Sequence, residues 1–409
     1  MPGDKSITHR AFLFGAMASG ITTIDGASSG DDCASTRRCL VSLGVSFEDG
    51  PAPGLLQVHG GAPFARPITR LDCGNSGTTL RLLMGVLAAS DFESELGGDA
   101  SLNRRPMERV AAPLRLMGAR IETTGGSPPV HVTGSKLRGA SVTPEAASAQ
   151  IKSAILLAAL QAEGRTTVRE PVLTRDHTER MIRAFGGEIR REGADIVVEG
   201  PQHLRAARLQ VPGDPSSAAP FVIAALLLPD SEVTIEGVLL NPHRIRYLDI
   251  LRDMGARIET EITSSDVEPS GRITARSSDL RGVTLSPLDV PAVVDELPIL
   301  AVAGAFAAGR FEVRGASELR VKESDRIASM VEGLGAMGAR IEELADGFSV
   351  QGGHRLTGAP VDSHGDHRIA MALSVAALRA TGETDVSGAE VVSISLPGFF
   401  PELERGAGR

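Results

Sequence analysis

Apolar and polar positions along this chain fall into two alternating patterns. In the first, a run of small and apolar residues is closed by Gly or Asp and followed by a β-rich stretch. It occurs in "HRAFLFGAMASGITTIDG", "SGTTLRLLMGVLAASDFESELGG", "SAQIKSAILLAALQAEGRTTVREP", "SSAAPFVIAALLLPDSEVTIEG", "ELPILAVAGAFAAGRFEVRG" and "DHRIAMALSVAALRATGETDVSG". The starts of these six segments lie roughly 65 to 80 residues apart. Between them runs a second pattern of amphipathic helix, tight Gly turn and alternating strand, as in "CLVSLGVSFE", "PLRLMGARIE", "MIRAFGGEIR", "LDILRDMGARIE" and "MVEGLGAMGARIE". In each of these the Gly is expected just past the helix end, where a left-handed backbone is needed, and the residues after it alternate with a strand's period of two. The chain therefore reads as six βα-rich units, three per domain.

Two near-copies organise the repeat. "MPGDKSITHR" opens the chain and "VPGDPSSAAP" returns at Val211, each leading a Pro-Gly-Asp turn straight into a small-residue helix. Pro and Gly make a rigid, directed turn, so both are expected where the chain crosses between domains. With 409 residues, one core is too few and two domains of roughly 200 residues each are expected. The first is placed at 5–212 and the second at 213–409, with residues 1–4 at the crossover.

Composition narrows the function. The chain is acidic, with net charge −9, no Trp and one Tyr, which argues against nucleic acid, a ligand that calls for a basic face and stacking aromatics. Its apolar runs are shorter than the ~20 residues of a membrane span, and no signal segment opens it. Three cysteines, Cys33, Cys39 and Cys73, without metal-type spacing, point to a reduced cytoplasmic setting and a structural role. His364 and His367 have no second pair nearby with zinc-type spacing, so no metal is expected.

The cations are sharper. Of 42 Lys plus Arg, only Lys5, Lys136, Lys152 and Lys322 are lysines. A Lys kept against such an Arg preference suits a place where an ammonium gives up a proton; Lys5 and Lys322 stand in dense polar motifs, while Lys136 lies in an ordinary loop. The six helix starts read "GDKSITHR", "CGNSGTT", "ASAQIKS", "GDPSSAA", "VVDELP" and "HGDHR". A helix N-terminus is a ready anion site. Ser216 and Ser217 read as N-caps. Lys5, Arg10 and Arg368 cannot be caps, because a cation there opposes the helix dipole, and they imply an anion to offset them. Arg104, Arg105, Arg175, Lys322 and Arg326 add to a set suited to a multiply charged small ligand. Acids are interleaved with them: Asp31, Asp32, Asp295, Glu323, Asp325 and Asp366. Of these, Asp295 and Glu323 adjoin an apolar helix start or a cationic run, a setting for proton transfer.

Taken together, "PGDKSITHR", "GNSGTTLRLLMG", "GDASLNRRPM", "SAQIKSA", "LTRDHTE", "LRVKESDR" and "GDHRIAMA" resemble the 5-enolpyruvylshikimate-3-phosphate (EPSP) synthase family, in order and over nearly the whole chain. The resemblance implies an α/β fold of two similar domains, each of three βαβαββ units (an inside-out α/β barrel), closing on substrate like a lid. It implies a cytoplasmic, monomeric enzyme of aromatic amino acid biosynthesis. Such an enzyme joins shikimate 3-phosphate to phosphoenolpyruvate by addition and elimination, without metal or organic cofactor, and is inhibited by glyphosate.

Carried over by motif, the resemblance puts Lys5, Arg105, Gln150, Arg326 and Arg368 around phosphoenolpyruvate, with Gly77 allowing close backbone approach. It puts Lys5, Ser6, Arg10, Ser148, Ala149, Gln150 and Arg175 on shikimate 3-phosphate, together with Asp295, the expected base, and Lys322. Glu323 is the expected proton donor, a role Lys5 could share. Two departures stand out. Family members usually begin with about a dozen more residues, forming a strand, so the second domain is expected to lack an edge strand. Some members also carry a donor-binding Lys where "SISLPGFF" has Ile394. The alternatives are the sister transferase acting on UDP-N-acetylglucosamine, whose reactive Cys is missing from "GGDASLNRRPM", and a non-catalytic phosphosugar-binding relative.

Overall fold

The six all-apolar runs form six helices, and they divide evenly between two compact units, Gly3–Val211 and Pro212–Arg409, the latter joined by Met1–Pro2. Both changes of unit fall inside the Pro-Gly-Asp segments. The computed structural model describes residues 1–52 and 54–406, so Pro53 and the last three residues of the expected second domain lie outside the described residues.

In the Gly3–Val211 unit the helices are Lys5–Met17, Gly77–Leu87 and Ala149–Ala159. They pack on one another and are buried along most of their length. This is what a helix apolar on every face must do. Small residues let them approach closely: a Cβ on Gly85 would lie 2.2 Å from the Ala154 carbonyl oxygen of the facing helix. Three four-stranded sheets enclose them, and each has the same build: one strand paired in parallel to the edge of a three-stranded antiparallel meander. In the first, Arg208–Gln210 runs parallel to Gly20–Asp25 (Thr23 opposite Arg208), which continues antiparallel to Leu55–Gly60 and Ser46–Asp49. The second is Leu71–Asp72, Glu93–Gly97, Ser127–Thr133 and Arg120–Thr124. The third is Ser141–Val142, Gly164–Arg169, Asp195–Gly200 and Arg190–Glu192.

The other unit repeats the plan around Pro215–Leu227, Leu297–Phe306 and His367–Ala377. Its sheets are thinner. Two are three-stranded meanders, Glu232–Leu239 with Pro269–Arg276 and Arg257–Ser265, and Arg310–Val313 with Gly347–Gln351 and Arg340–Leu344. The third is a parallel pair, Pro360–Asp362 with Asp385–Ser387. Beside the two meanders the parallel strand shrinks to single bridges, Gly213 to Val238, and Arg281 to Ala308 with Thr284 to Glu312.

The second sequence pattern is equally local. Gly44, Gly118, Gly186, Gly255 and Gly338 all have positive φ, each just past an amphipathic helix and before a strand, as a C′ glycine requires. The expected caps Ser216 and Ser217 are a correction. Asp214 caps that helix, accepting from the Ser216 N–H at 2.8 Å, and Pro215 takes the first helical position. Ser216 therefore lies inside the helix, where its hydroxyl donates to the buried Glu296 carboxylate.

Candidate active site

In the Gly3–Val211 unit the polar helix starts hold one another. Asp4 caps the first helix, accepting from the Ile7 N–H at 2.8 Å. Lys5, one residue on, reaches Asp32 with Nζ 2.8 Å from Oδ2. The expected offset for this cation thus comes partly from the protein's own carboxylate. Arg10 is buried and donates to the Ser6 carbonyl at 2.8 Å, Thr178 Oγ1 at 2.8 Å and Ser153 Oγ at 2.7 Å.

Behind these groups runs a chain of neutral hydrogen bonds. His9 Nδ1 meets Thr36 Oγ1 at 2.6 Å, Thr36 meets Thr79 Oγ1 at 2.6 Å, and Thr79 Oγ1 donates to Ser76 Oγ at 2.8 Å. Burial, partly countered by Asp32, pushes the His9 imidazole down to about 3, so it stays neutral at ordinary pH. The chain fixes Ser76, the cap of the Gly77–Leu87 helix, and with it the backbone of the adjacent Gly77.

Around Gly77 stand two cations. Arg105 donates to Asn75 Oδ1 at 2.6 Å, and Arg81 to Gln150 Oε1 at 2.6 Å, while Gln150 Nε2 donates to Thr78 Oγ1 at 2.8 Å. A Cβ on Gly77 would lie 2.9 Å from Arg81 Nη1 and 3.3 Å from Arg105 Nη1. Arg81 escaped the sequence reading because it sits in an apolar run. The signal was there: a lone Arg amid "TTLRLLMG" has to be buried against something polar. Ser148 stands at the cap position of the Ala149–Ala159 helix without a capping bond from its side chain, and Ala149 and Arg175 are half-buried. All three cysteines are buried and free, and burial, with Asp32, pushes the Cys33 thiol up, which suits a structural role.

In the Pro212–Arg409 unit the centre is Arg326, the first residue of the Arg326–Ala336 helix and 2% exposed. Its Nε donates to Asp366 Oδ2 at 2.7 Å, and its Nη2 to Glu323 Oε2 at 2.7 Å and Asp366 Oδ1 at 3.2 Å. Among the described residues its Nη1 has no hydrogen-bond acceptor, with Asp295 Oδ1 3.7 Å away. Asp366 works twice, for it also caps the His367–Ala377 helix through the Arg368 N–H at 2.8 Å. Burial opposes its charge, but the Arg326 guanidinium outweighs burial and holds the carboxyl below its usual range. Arg368 donates from Nη1 to the Ser216 carbonyl at 3.2 Å. Lys322 lies 3.9 Å from Glu318, and desolvation, against the lifting charge of Asp295, pushes its ammonium down. Ile394 ends a short 3-10 helix and is half-buried.

This unit thus gathers Asp295, Glu323 and Arg326, and the other gathers Lys5, Gly77, Arg105 and Gln150. Comparison with known proteins shows the family. The sequence model described as EPSP synthase (3-phosphoshikimate 1-carboxyvinyltransferase) matches residues 1–403. The chain belongs to the EPSP synthase family. A 3-phosphoshikimate 1-carboxyvinyltransferase from Carboxydothermus hydrogenoformans is 49% identical over 409 residues, covering 99% of this chain and 95% of the relative. One from Gloeobacter violaceus is 49% identical over 414 residues, covering 98% and 94%. Among solved structures, EPSP synthase from Acinetobacter baumannii superposes with a TM-score of 0.86 at 44% identity, covering 99% of this chain and 94% of that one. The fold is accordingly the mixed α/β fold of EPSP synthases. Among the described residues no helix is long and apolar enough to cross a membrane.

Proposed function

We propose that this EPSP synthase uses the two gathered sets of side chains to transfer the enolpyruvyl group of phosphoenolpyruvate to the 5-hydroxyl of shikimate 3-phosphate. The observation that carries the activity is the family match across residues 1–403. The chemistry needs two phosphates and two carboxylates held, the donor's CH2 carbon protonated and the acceptor's hydroxyl deprotonated. Attack of that oxygen gives a tetrahedral intermediate. Loss of phosphate, with a proton leaving the new methyl group, restores the double bond.

For the donor, Lys5, Arg105, Gln150, Arg326 and Arg368 are the binding groups. Support comes from the Nη1 of Arg326, a buried N–H group that, among the described residues, has Asp295 3.7 Å away but no hydrogen-bond acceptor, since such a donor is costly unless a partner meets it. Gly77 leaves the neighbouring guanidinium groups room. For the acceptor, Ser6, Ser148, Ala149, Gln150 and Arg175 are contacts, with Lys5, Asp295 and Lys322. Arg10, already bonded three ways, adds positive charge and holds the Ser6 carbonyl. Asp295 is the base for the 5-hydroxyl and Glu323 the donor to the CH2 carbon. Lys5 shares the proton transfer, and Lys322, whose ammonium is pushed down by desolvation, serves the acceptor.

A phosphate-release assay tests the reading. Release from phosphoenolpyruvate is expected with shikimate 3-phosphate and not with UDP-N-acetylglucosamine; release with the nucleotide sugar alone, or with neither acceptor, overturns it. The enzyme is proposed to act as a monomer and to be inhibited by glyphosate in competition with phosphoenolpyruvate. Glyphosate is the slightly longer molecule. A methyl on Gly77 would crowd the ends of Arg81 and Arg105, and packed sites tolerate little added volume. Gly77→Ala is therefore expected to weaken glyphosate at least tenfold, about 1.4 kcal/mol, with a smaller rise in the KM for phosphoenolpyruvate. Equal losses for inhibitor and substrate would dismiss the steric account.

A further inference from the structure

Lys152 is the one remaining lysine outside ordinary loops, and the roles assigned above leave it unused. It sits in the first turn of the Ala149–Ala159 helix, two residues after Gln150. Two residues advance a helix by about 200°, so the two side chains leave on opposite sides. Its side chain is 2% exposed. The ammonium donates to Glu170 Oε1 at 2.8 Å and to the Thr174 carbonyl at 3.4 Å, and it forms an ion pair with Glu179 Oε1 at 2.7 Å. Glu170 in turn accepts from the Thr174 N–H at 2.9 Å and from the Thr174 hydroxyl, and takes Arg191 Nη2 at 2.7 Å on its other oxygen. Burial works against the Glu170 charge, but Lys152 and these hydrogen bonds hold the carboxyl below its usual range.

We propose that Lys152, with Glu170, Glu179 and Arg191, is a positioning residue for the acceptor: the four charges anchor Thr174 and so set where Arg175 meets shikimate 3-phosphate. This rests on the reading of Arg175 as an acceptor contact. Residues 171–176 have no regular structure, and Thr174 is held at its N–H, its hydroxyl and its carbonyl, all by this cluster. Packing does not do the same work. A cavity of about 220 Å³ lies beside the cluster, lined among others by Ser148, Lys152, Glu170, Val172 and Thr174. The cluster also ties two acceptor segments together, because Lys152 shares its helix with Ser148 and Gln150. Two carboxylates balance two cations, and because a buried ion pair is often no more stabilising than a well-packed apolar replacement, the cluster's proposed contribution is to geometry.

The test is a set of steady-state measurements on the full chain. Lys152→Met is expected to raise the KM for shikimate 3-phosphate at least tenfold, with kcat and the KM for phosphoenolpyruvate within about threefold. Arg175→Ala is expected to raise the same KM, and the double variant to be no worse than Arg175→Ala by more than about twofold, since one effect acts through the other. Adding Glu179→Gln to Lys152→Met restores charge balance, so melting temperature is expected to recover while the KM does not. A purely structural role predicts recovery of both and overturns the proposal.

If Lys152→Met does not fold, Arg191→Met decides. That side chain is 35% exposed and touches only the outer oxygen of Glu170 closely, and its loss should raise the same KM about threefold. A raised KM in Arg175→Ala with no change in Lys152→Met or Arg191→Met leaves the Arg175 reading standing and sinks the anchor. No effect of Arg175→Ala removes the reading and the anchor together. Multiplying effects in the double variant also count against it.

Discussion

Asp295→Asn and Glu323→Gln are each expected to lower kcat by about 10²-fold or more while both substrates still bind. The expectation follows from what the two changes remove. Each keeps the size and shape of the side chain but takes away its capacity to exchange a proton, and the reaction needs one proton put on carbon and another taken from oxygen. The two acids share Arg326, at 3.7 Å from Asp295 and 2.7 Å from Glu323. Arg326 is also one of the groups proposed to bind the donor. Binding and proton transfer are thereby linked through one guanidinium. Steady-state kinetics with both substrates varied, backed by equilibrium titration of shikimate 3-phosphate, checks this. A variant with near-normal kcat takes its residue out of the chemistry.

The second large effect is on stability. Asp366→Ala is expected to cost about 3–5 kcal/mol, because removing one partner of a buried pair leaves the other charge without its closest compensation. Here that charge is Arg326, and the same carboxylate also caps a helix. Asp366→Asn separates the two roles: Asn can still cap but cannot neutralise Arg326, so most of the loss should remain. The pH dependence has a definite sign. The folded-state carboxyl is held below its usual range, so its contribution is complete above the unfolded value of about 3.9. It fades as pH falls through the lower, folded value. The gap between wild type and Asp366→Asn in urea unfolding should accordingly be full at neutral pH and close only in strong acid. An Asn variant as stable as wild type at pH 7 would show that Arg326 finds its compensation elsewhere.

Much of this molecule was legible in advance, for reasons that differ residue by residue. The five C′ glycines were readable because a left-handed backbone is a local demand that few residues meet. The helix caps were readable as a type but not by residue. Asp214 and Ser216 are both good caps, and Pro215 decided between them by taking the first helical position. Arg81 was missed because one charge barely alters an apolar pattern. Its partner Gln150 lies 69 residues away, and no periodicity links them. The anchor around Lys152 spans residues 152 to 191 and depends on a loop whose shape no pattern of apolar and polar positions describes.

By itself, then, the amino-acid sequence determined the six helix-and-strand units, the glycine and proline turns, the preference for a multiply anionic small ligand, and the resemblance to EPSP synthases. Each of these follows from neighbours within a few residues or from motifs read whole. The tertiary structure alone decided which distant acid meets which cation: Asp32 with Lys5, Asp366 with Arg326, Glu170 and Glu179 with Lys152. The reason is electrostatic. The strength of a charge pair varies with distance and with the water excluded around it, and both are properties of the folded chain rather than of spacing along it.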